Sequence, residues 1–274
     1  MSMKYNEGYF DLCINASKDG NASDLREILL KSYKLGYRSV AINQIIDEST
    51  FETKKKRKKC DDDSRTFLNP IDVDDLVKEF EGKLNIFNRI TFAFSDEEKT
   101  RLLNQWNVLK KFHVYSVIPK TSEALQFACS QLNTDIITLN ASSTQFKMTK
   151  KLYMQALDRD IHFEIQYTDV INQESRQLAI HQAHLFYVYG KSKNVIISSG
   201  ANKVTDIRNP YDVINLAALL GLNENMSKAA ILYQNKNLLL RAERRRFGKV
   251  FAIKIEEEVK ESDSTDSNAK KSKL

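Results

Sequence analysis

The chain has 274 residues, 42% of them hydrophobic, a net charge of +6 and three cysteines. That much apolar material excludes a disordered chain and is enough for one substantial core. The cysteines, Cys13, Cys60 and Cys129, are odd in number and far apart, which excludes a disulfide framework or a clustered zinc site and fits a reducing compartment.

From the N-terminus, MSMKYNEG lacks the apolar segment of a secretory signal, and no window nears the ~20 apolar residues of a membrane span. A soluble, non-secreted protein is expected. Tyr9 to Ile14 reads as a first strand, followed by a helix capped by Ser23 with Leu25, Ile28 and Leu29 on one face. RSVAIN, Arg38 to Asn43, is the second strand. Residues from about 47 to 69 have dense charge of both signs and no hydrophobic period, so they form a solvated loop insertion. A short helix, Asp72 to Glu81, leads to a third strand, Ile86 to Phe94; Ser95 and Glu98 then form a capping box for a helix reaching about Lys110. Phe112 to Ile118, Asp135 to Leu139 and Ile161 to Gln166 are further strands, separated by helices opening at Thr121 and Thr149. A long helix spans Glu174 to Tyr189, with Leu178, His181, Leu185 and Val188 as inward positions.

The most informative stretch is VIISSGANKVTDIRNPYDVINLAALLGL, Val195 to Leu222. An unbroken apolar run suits a strand buried on both faces, and Ser198, Ser199 and Gly200 end it. Asn209 caps a helix with Pro210 at its first position, where a missing N–H costs nothing. Val213, Leu216, Ala217 and Leu220 share one face of that helix, and Gly221 closes it. One more helix, Glu224 to Arg246, carries Ala229, Leu232, Tyr233, Leu239 and Leu240 as its apolar stripe, and Phe251 to Ile255 reads as a last strand. Residues 256–274, rich in charge of both signs among Ser, Thr and Asn, are expected to form a disordered polar tail. Seven or eight strands alternating with helices favour an irregular, TIM-like (β/α) barrel over residues 1–255, with an open doubly wound sheet as the alternative. No glycine-rich phosphate loop follows the first strand, which argues against a dinucleotide-binding enzyme.

Three clusters concentrate the positive charge. Lys54, Lys55, Lys56, Arg57, Lys58 and Lys59 run consecutively inside the insertion and match a nuclear import signal. Arg241, Arg244, Arg245, Arg246 and Lys249 gather at the end of a helix, and the first three share a face near its C-terminus, where cations bind RNA or simply complement the helix dipole. Lys270, Lys271 and Lys273 lie in the tail. Lys203 and Arg208 follow the Val195 strand, where they can grip phosphate oxygens. No aromatic RNA-recognition motif accompanies them, so RNA binding would follow shape and backbone.

NVIISSGA followed by IRNPYDVINLAALLGL, with IHFEIQY, Glu174, Ser175, Arg176 and FDLCI, resembles the 30-kDa protein subunit family of ribonuclease P, shared with ribonuclease MRP. The resemblance runs in order over most of residues 9–255. It implies a barrel of the polymerase and histidinol phosphatase (PHP) type without that superfamily's metal site, and an accessory role in removing 5′ leaders from precursor tRNA. The implied partners are ribonuclease P RNA, ribonuclease MRP RNA, precursor tRNA and the small ferredoxin-like protein subunit. The implied location is the nucleus and nucleolus.

The residues bear on the metal site independently. A multinuclear centre needs several imidazoles and carboxylates at strand ends, yet the first strand offers Asp11 and Cys13 and no histidine. His113, His162, His181 and His184 are read as structural or surface residues, and no cofactor is expected. Asp11 and Glu164, within strands, would make an acid/base pair if both faced a barrel mouth. Buried carboxylates are more often held by backbone or arginine, and Arg176 and Arg208 are the expected partners. Arg176 joins Lys203, Arg208, Arg241, Arg244 and Arg245 as an RNA-binding candidate. The expected role is thus a non-catalytic scaffold. A degenerate PHP-type phosphoesterase is one rival, and a metal-free barrel enzyme handling a small anion at Ser198, Ser199 and Lys203 is the other.

Overall fold

The structure is a computed structural model that describes residues 8–16, 22–48, 69–98, 100, 107–139 and 148–248. Seven strands lie parallel and in chain order: β1 (Tyr9–Asn15), β2 (Tyr37–Asp47), β3 (Asn85–Phe94), β4 (Val114–Pro119), β5 (Ile136–Thr138), β6 (His162–Gln166) and β7 (Val195–Ser198). The seam between β7 and β1 closes just past the end of β7. There Gly200 N–H donates to Cys13 O at 2.9 Å and Asn15 N–H donates to Ala201 O at 2.8 Å. An unscrambled order that returns on itself is a barrel, and the open doubly wound alternative, which needs a topological switch in strand order, is excluded.

The helices are α1 (Ala22–Lys34), α2 (Asp74–Glu79), α3 (Ser122–Ser130), α4 (Lys150–Asp158), α5 (Tyr167–Ile171), α6 (Arg176–Gly190), α7 (Pro210–Leu219), α8 (Glu224–Ile231) and α9 (Tyr233–Phe247). Several begin where side-chain caps dictate: Thr121, Thr149, Asn209 and Asn223 accept from the N–H groups of Ala124, Leu152, Tyr211 and Met226. Among the described residues no helix is long and apolar enough to cross a membrane.

Alternation along the strands sorts the core. Outward residues such as Ile90, Phe92, Val117, Phe163 and Ile197 pack under the helices, while Phe10, Leu12, Ala41, Phe87, Val114, Ile136 and Ile196 form an apolar plug inside the barrel. Leu238 and Leu239 of α9 complete that plug, so α9 crosses the end where the strands begin and seals it as a floor. Each such fully buried side chain contributes roughly 1.5–3 kcal/mol.

Several expectations are corrected. Ser23 lies inside α1 and is not its cap. Ser95 makes no box with Glu98; its N–H and hydroxyl both donate to Glu48, at 2.9 and 2.6 Å. On α6 the buried positions are Ala179, Ala183 and Phe186, one residue round from the expected face, leaving His181 exposed and Val188 51% exposed. Small residues let α6 approach closely: a Cβ on Gly190 would fall 2.0 Å from the Tyr153 ring, which stacks on Phe163. The single helix expected over Glu224–Arg246 breaks at Leu232 (φ −126, ψ −88), and the Asn235 amide takes up Ala230 O at 2.8 Å. That break turns α9 beneath the barrel and leaves Tyr233 exposed, outside the apolar stripe assigned to it. The bulk of the insertion, the strand at Phe251–Ile255 and the tail lie outside the described residues.

Candidate functional site

Above the apolar plug the lumen turns polar, because β3 and β6 each place a charged residue on an inward position. Arg89 follows Phe87 on the same face of β3, and Glu164 follows His162 on β6. Both side chains are wholly buried and pair at 2.5 and 2.6 Å through both guanidinium amino groups. Arg89 also donates to Leu12 O at 2.7 Å, Thr91 Oγ1 at 3.2 Å and Ser116 Oγ at 3.1 Å. Glu164 accepts further from Thr138 Oγ1 at 2.6 Å and Ser198 Oγ at 2.7 Å. Burial alone would raise the Glu164 carboxyl, but the Arg89 guanidinium and the two hydroxyls outweigh it and hold the acid below its usual range.

Nearer the mouth a second layer is amide-rich. Asn43 accepts from Thr91 at 2.6 Å and donates to Asn15 at 2.8 Å, while Asn15 donates to Gly200 O at 3.0 Å. The β1–β2 register slips between Asp11 and Ile14, and such a bulge re-aims side chains. Asp11 thereby reaches the seam, where its Oδ1 accepts from Ser199 N–H at 2.9 Å and its Oδ2 has no partner. Gly200, at φ +64, leaves room for Gln166 and Thr168 that a side chain would fill.

These contacts decide the chemistry of the mouth. Arg89 is the partner of Glu164, and Asp11 is held by backbone N–H; Arg176 and Arg208, the expected partners, play neither part. Both Glu164 oxygens are engaged, so no acid/base pair stands ready. Ser198 and Ser199 are buried, with hydroxyls donating to Glu164 and to Cys13 O at 2.8 Å, which removes them as anion ligands. A buried guanidinium has no lone pair to offer a metal ion, and its neighbours here are hydroxyls and one carboxylate already bonded to it, so this donor set does not suit a multinuclear metal centre. Among the described residues no three His, Cys, Asp or Glu side chains are grouped to hold a metal ion.

The basic candidates fall in three places. Lys203 and Arg208 are exposed on the loop after β7, whose backbone is pinned: Asp206 accepts from Lys203 N–H at 2.9 Å, and Tyr37 and Tyr167 bracket Arg208 O and N–H. Arg176 is exposed, but its guanidinium caps α5 through Val170 O and Ile171 O at 3.1 and 2.7 Å. On α9, Arg241 and Arg245 turn inward to share the buried Asp135 at 2.8 and 2.9 Å, and Arg245 also reaches Leu109 O. Only Arg244 of that trio faces solvent. The import-signal candidates Lys54 to Lys59 lie outside the described residues.

Arg89 and Asp135 are the residues sequence reasoning passed over. Arg89 had a signal: in IFNRITFAF it falls on the same alternate face as Phe87 and Thr91, and a charge inside a buried strand demands a partner. Arg159 is a third, capping α3 through Cys129 O and Leu132 O at 3.1 and 2.9 Å.

Buried ionisable groups set an acid response. Burial, with nearby arginines, lowers His113 and His162 to about 4, and neither ring nitrogen of His162 has a hydrogen-bond partner, Gln234 lying beside it out of bonding geometry. Burial raises Asp11 to about 6. The folded histidine values lie below the ordinary 6.5, so their stability is whole above that pH and is lost as pH falls toward 4. Asp11 acts in the opposite sense, costing stability as pH rises from 3.8 to about 6. Two imidazoles outweigh one carboxyl. His162→Gln is expected to remove roughly 3 kcal/mol of the loss between pH 7 and 4 in urea titrations run at each pH.

A family model described as RNase P subunit p30 matches residues 8–247. A mouse protein named ribonuclease P protein subunit p30 is 31% identical over 257 residues, covering 90% of this chain and 91% of its own length. A Saccharomyces cerevisiae ribonuclease P/MRP protein subunit, RPP1, is 25% identical over 212 residues, 76% of this chain and 69% of the relative. The Arabidopsis thaliana protein Gametophyte Defective 1 is 33% identical over 174 residues, which are 62% of this chain and 30% of that longer protein. Among solved structures, a chain in a cryo-EM structure of archaeal ribonuclease P with mature tRNA superposes with a TM-score of 0.63 at 17% identity, over 92% of this chain and all of the other. A crystal structure described as a histidinol phosphatase from Listeria monocytogenes gives 0.51 at 10% identity, over 74% of this chain and 98% of the other. Both likenesses bear on the fold.

Proposed function

The chain belongs to the RNase P subunit p30 family and is a protein subunit of ribonuclease P, and from that premise we propose that it works as a non-catalytic scaffold for the RNA. The observation that carries this reading is how the candidate groups nearest the mouth are engaged: both Glu164 oxygens are held by Arg89, Thr138 and Ser198, and the Ser199 hydroxyl is turned to Cys13 O, so these side chains are committed within the protein. The remaining activity is adhesion. Exposed cations offset phosphate repulsion so that the RNA holds its fold and its precursor tRNA while metal ions bound by RNA perform the cleavage. Lys203 and Arg208 on their pinned loop, with Arg244 and the remaining donor capacity of Arg176, are the proposed phosphate contacts. Arg241 and Arg245 are given to the clamp on Asp135.

The ferredoxin-like ribonuclease P subunit is the proposed protein partner. Membership of ribonuclease MRP, with a part in rRNA processing, is proposed from the yeast relative named for both complexes. Lys54 to Lys59 are proposed as an import signal, which suits a nuclear and nucleolar protein. The deciding experiment is affinity purification of the tagged chain, with sequencing of bound RNA and assay of the eluate on precursor tRNA. Recovery of a structured noncoding RNA and of leader-removing activity that ribonuclease treatment abolishes supports the reading. Hydrolysis of a phosphoester by the RNA-free chain would replace it with the degenerate hydrolase. Lys203→Glu with Arg208→Glu is expected to weaken assembly about tenfold and make it less sensitive to salt; unchanged assembly and salt response would remove these two side chains from the contact.

A further inference from the structure

Resting on the RNA-scaffold reading, we propose that the floor of the barrel, closed by α9, is an RNA-docking face in its own right, with the outward stripe of α9 laid along a phosphate backbone. The inward side of α9 is Asn235, Leu238, Leu239 and Ala242. Opposite them, at spacings of three and four, stand Tyr233, Lys236, Leu240, Arg244 and Phe247, a line about 21 Å long. Tyr233 is 62% and Phe247 69% exposed, two of the eleven large apolar side chains that face water among the described residues, and these two stand in line with basic positions. Lys236 and Arg244 are exposed and, among the described residues, their side chains have no hydrogen-bond or ion-pair partner.

The charge around this stripe favours an anion. Beneath α9 two guanidinium groups, Arg241 and Arg245, share one carboxylate, Asp135, leaving a net positive charge under the helix. At its C-terminal end Arg246 lies over the Phe247 ring at 4.7 Å and donates to Lys110 O at 2.9 Å, which brings the exposed Lys110 alongside. At the same end of the barrel, just before β7, Lys191 and Lys193 project from a loop whose backbone is left-handed at Lys191, Ser192 and Asn194 (φ 54, 54 and 52). Lys191 is the left-handed cap that closes α6 and asparagine takes this conformation readily, so the turn holds both lysines in defined positions. Cations interleaved with exposed rings suit phosphates and unstacked bases. Two acids temper the charge at this end, Glu243 beside Arg246 and the exposed Asp160 near Arg241, while at the mouth exposed Asp96, Glu98, Glu174 and Asp212 stand among the lysines and arginines.

The test uses the full chain and a transcribed precursor tRNA, with affinity measured by fluorescence anisotropy from about 50 to 300 mM salt. K236Q/R244Q is expected to bind about tenfold more weakly and to lower the slope of log K against log salt by about 1.4 to 1.8, from 0.7–0.9 for each phosphate no longer neutralised. F247A is expected to weaken binding several-fold with the slope unchanged, as removal of an uncharged stacking surface does. K78Q/K151Q, which removes the same charge from exposed sites on α2 and α4, is expected to match wild type within about twofold. Wild-type affinity and slope in K236Q/R244Q overturn the floor as an RNA face while leaving the scaffold reading intact. Failure of the wild-type chain to bind RNA at any salt overturns both. Loss of a protein subunit from the purified complex, with RNA affinity unchanged, identifies the stripe as a protein contact and overturns the proposal.

Discussion

Glu164→Ala is expected to lower the unfolding free energy by about 3–5 kcal/mol, enough to leave a domain of ordinary stability largely unfolded at 37 °C. The loss arises from what the substitution strands. Arg89 is fully buried, held charged by its surroundings, and without the carboxylate keeps only Leu12 O and three hydroxyls. A guanidinium cannot neutralise itself by losing a proton as a lysine might, so the uncompensated charge remains on the axis. Thr138 and Ser198 lose an acceptor as well. The apolar double replacement Arg89→Met, Glu164→Leu should recover most of the deficit, because both desolvation costs vanish together. Chemical denaturation of the two variants checks this. Equal destabilisation in the single and double variants would show that the pair is not an energetic unit.

Asp135→Ala is the second large effect, expected at about 3–4 kcal/mol. Asp135 accepts from Arg241, Arg245 and Tyr115 N–H, so its removal leaves two half-buried or buried cations facing each other with nothing between them. Its consequence should be local first. α9 is fastened by this carboxylate, by Leu238 and Leu239 in the plug, and by Arg245 on Leu109 O. Hydrogen exchange is expected to accelerate along α9 before the strands respond, and Asp135→Asn, which keeps the shape but not the charge, should fall between. Uniform acceleration over the barrel would show that the floor is not a separate unit of stability.

Strand direction and order, over the seven strands of the described residues, are readable because buried parallel strands are continuous apolar runs separated by capped helices, as in Val195 to Leu222. Faces were harder to read. On α6 the long residues Leu178, Leu185 and Val188 look inward by hydrophobicity, yet Ala179 and Ala183 are the ones buried, since small residues permit the close approach that Tyr153 and Phe186 then fill. The break at Leu232 carries neither glycine nor proline and so left no trace in the composition. The lumen is half legible: a carboxylate inside a strand, as at Glu164, calls for backbone or arginine partners, yet the partner it has comes from β3 and not from the loops that hold Arg176 and Arg208. Pairing across 75 positions of chain is a tertiary fact, and single-sequence patterns reach only local spacing. Likewise the basic cluster on α9 divides into a clamp and a free arginine only once the helix is rotated against Asp135.

The join between the first and last strands has a consequence for how the molecule breathes. β2 and β3 share a register of nine consecutive residue pairs, whereas across the seam β1 is joined to the residues just after β7 by only one bridge of Ile14 with Ala201 and a few hydrogen bonds of Asp11, Cys13 and Asn15. A ring of staves fastened so unevenly has weak hoops, one between β4 and β5, which share two residue pairs, and one at this seam, which thermal fluctuation will part before the β2–β3 wall. The loop bearing Lys203 and Arg208 hangs from that parting edge, so whatever grips those two cations also splints the place where the cylinder would otherwise gape.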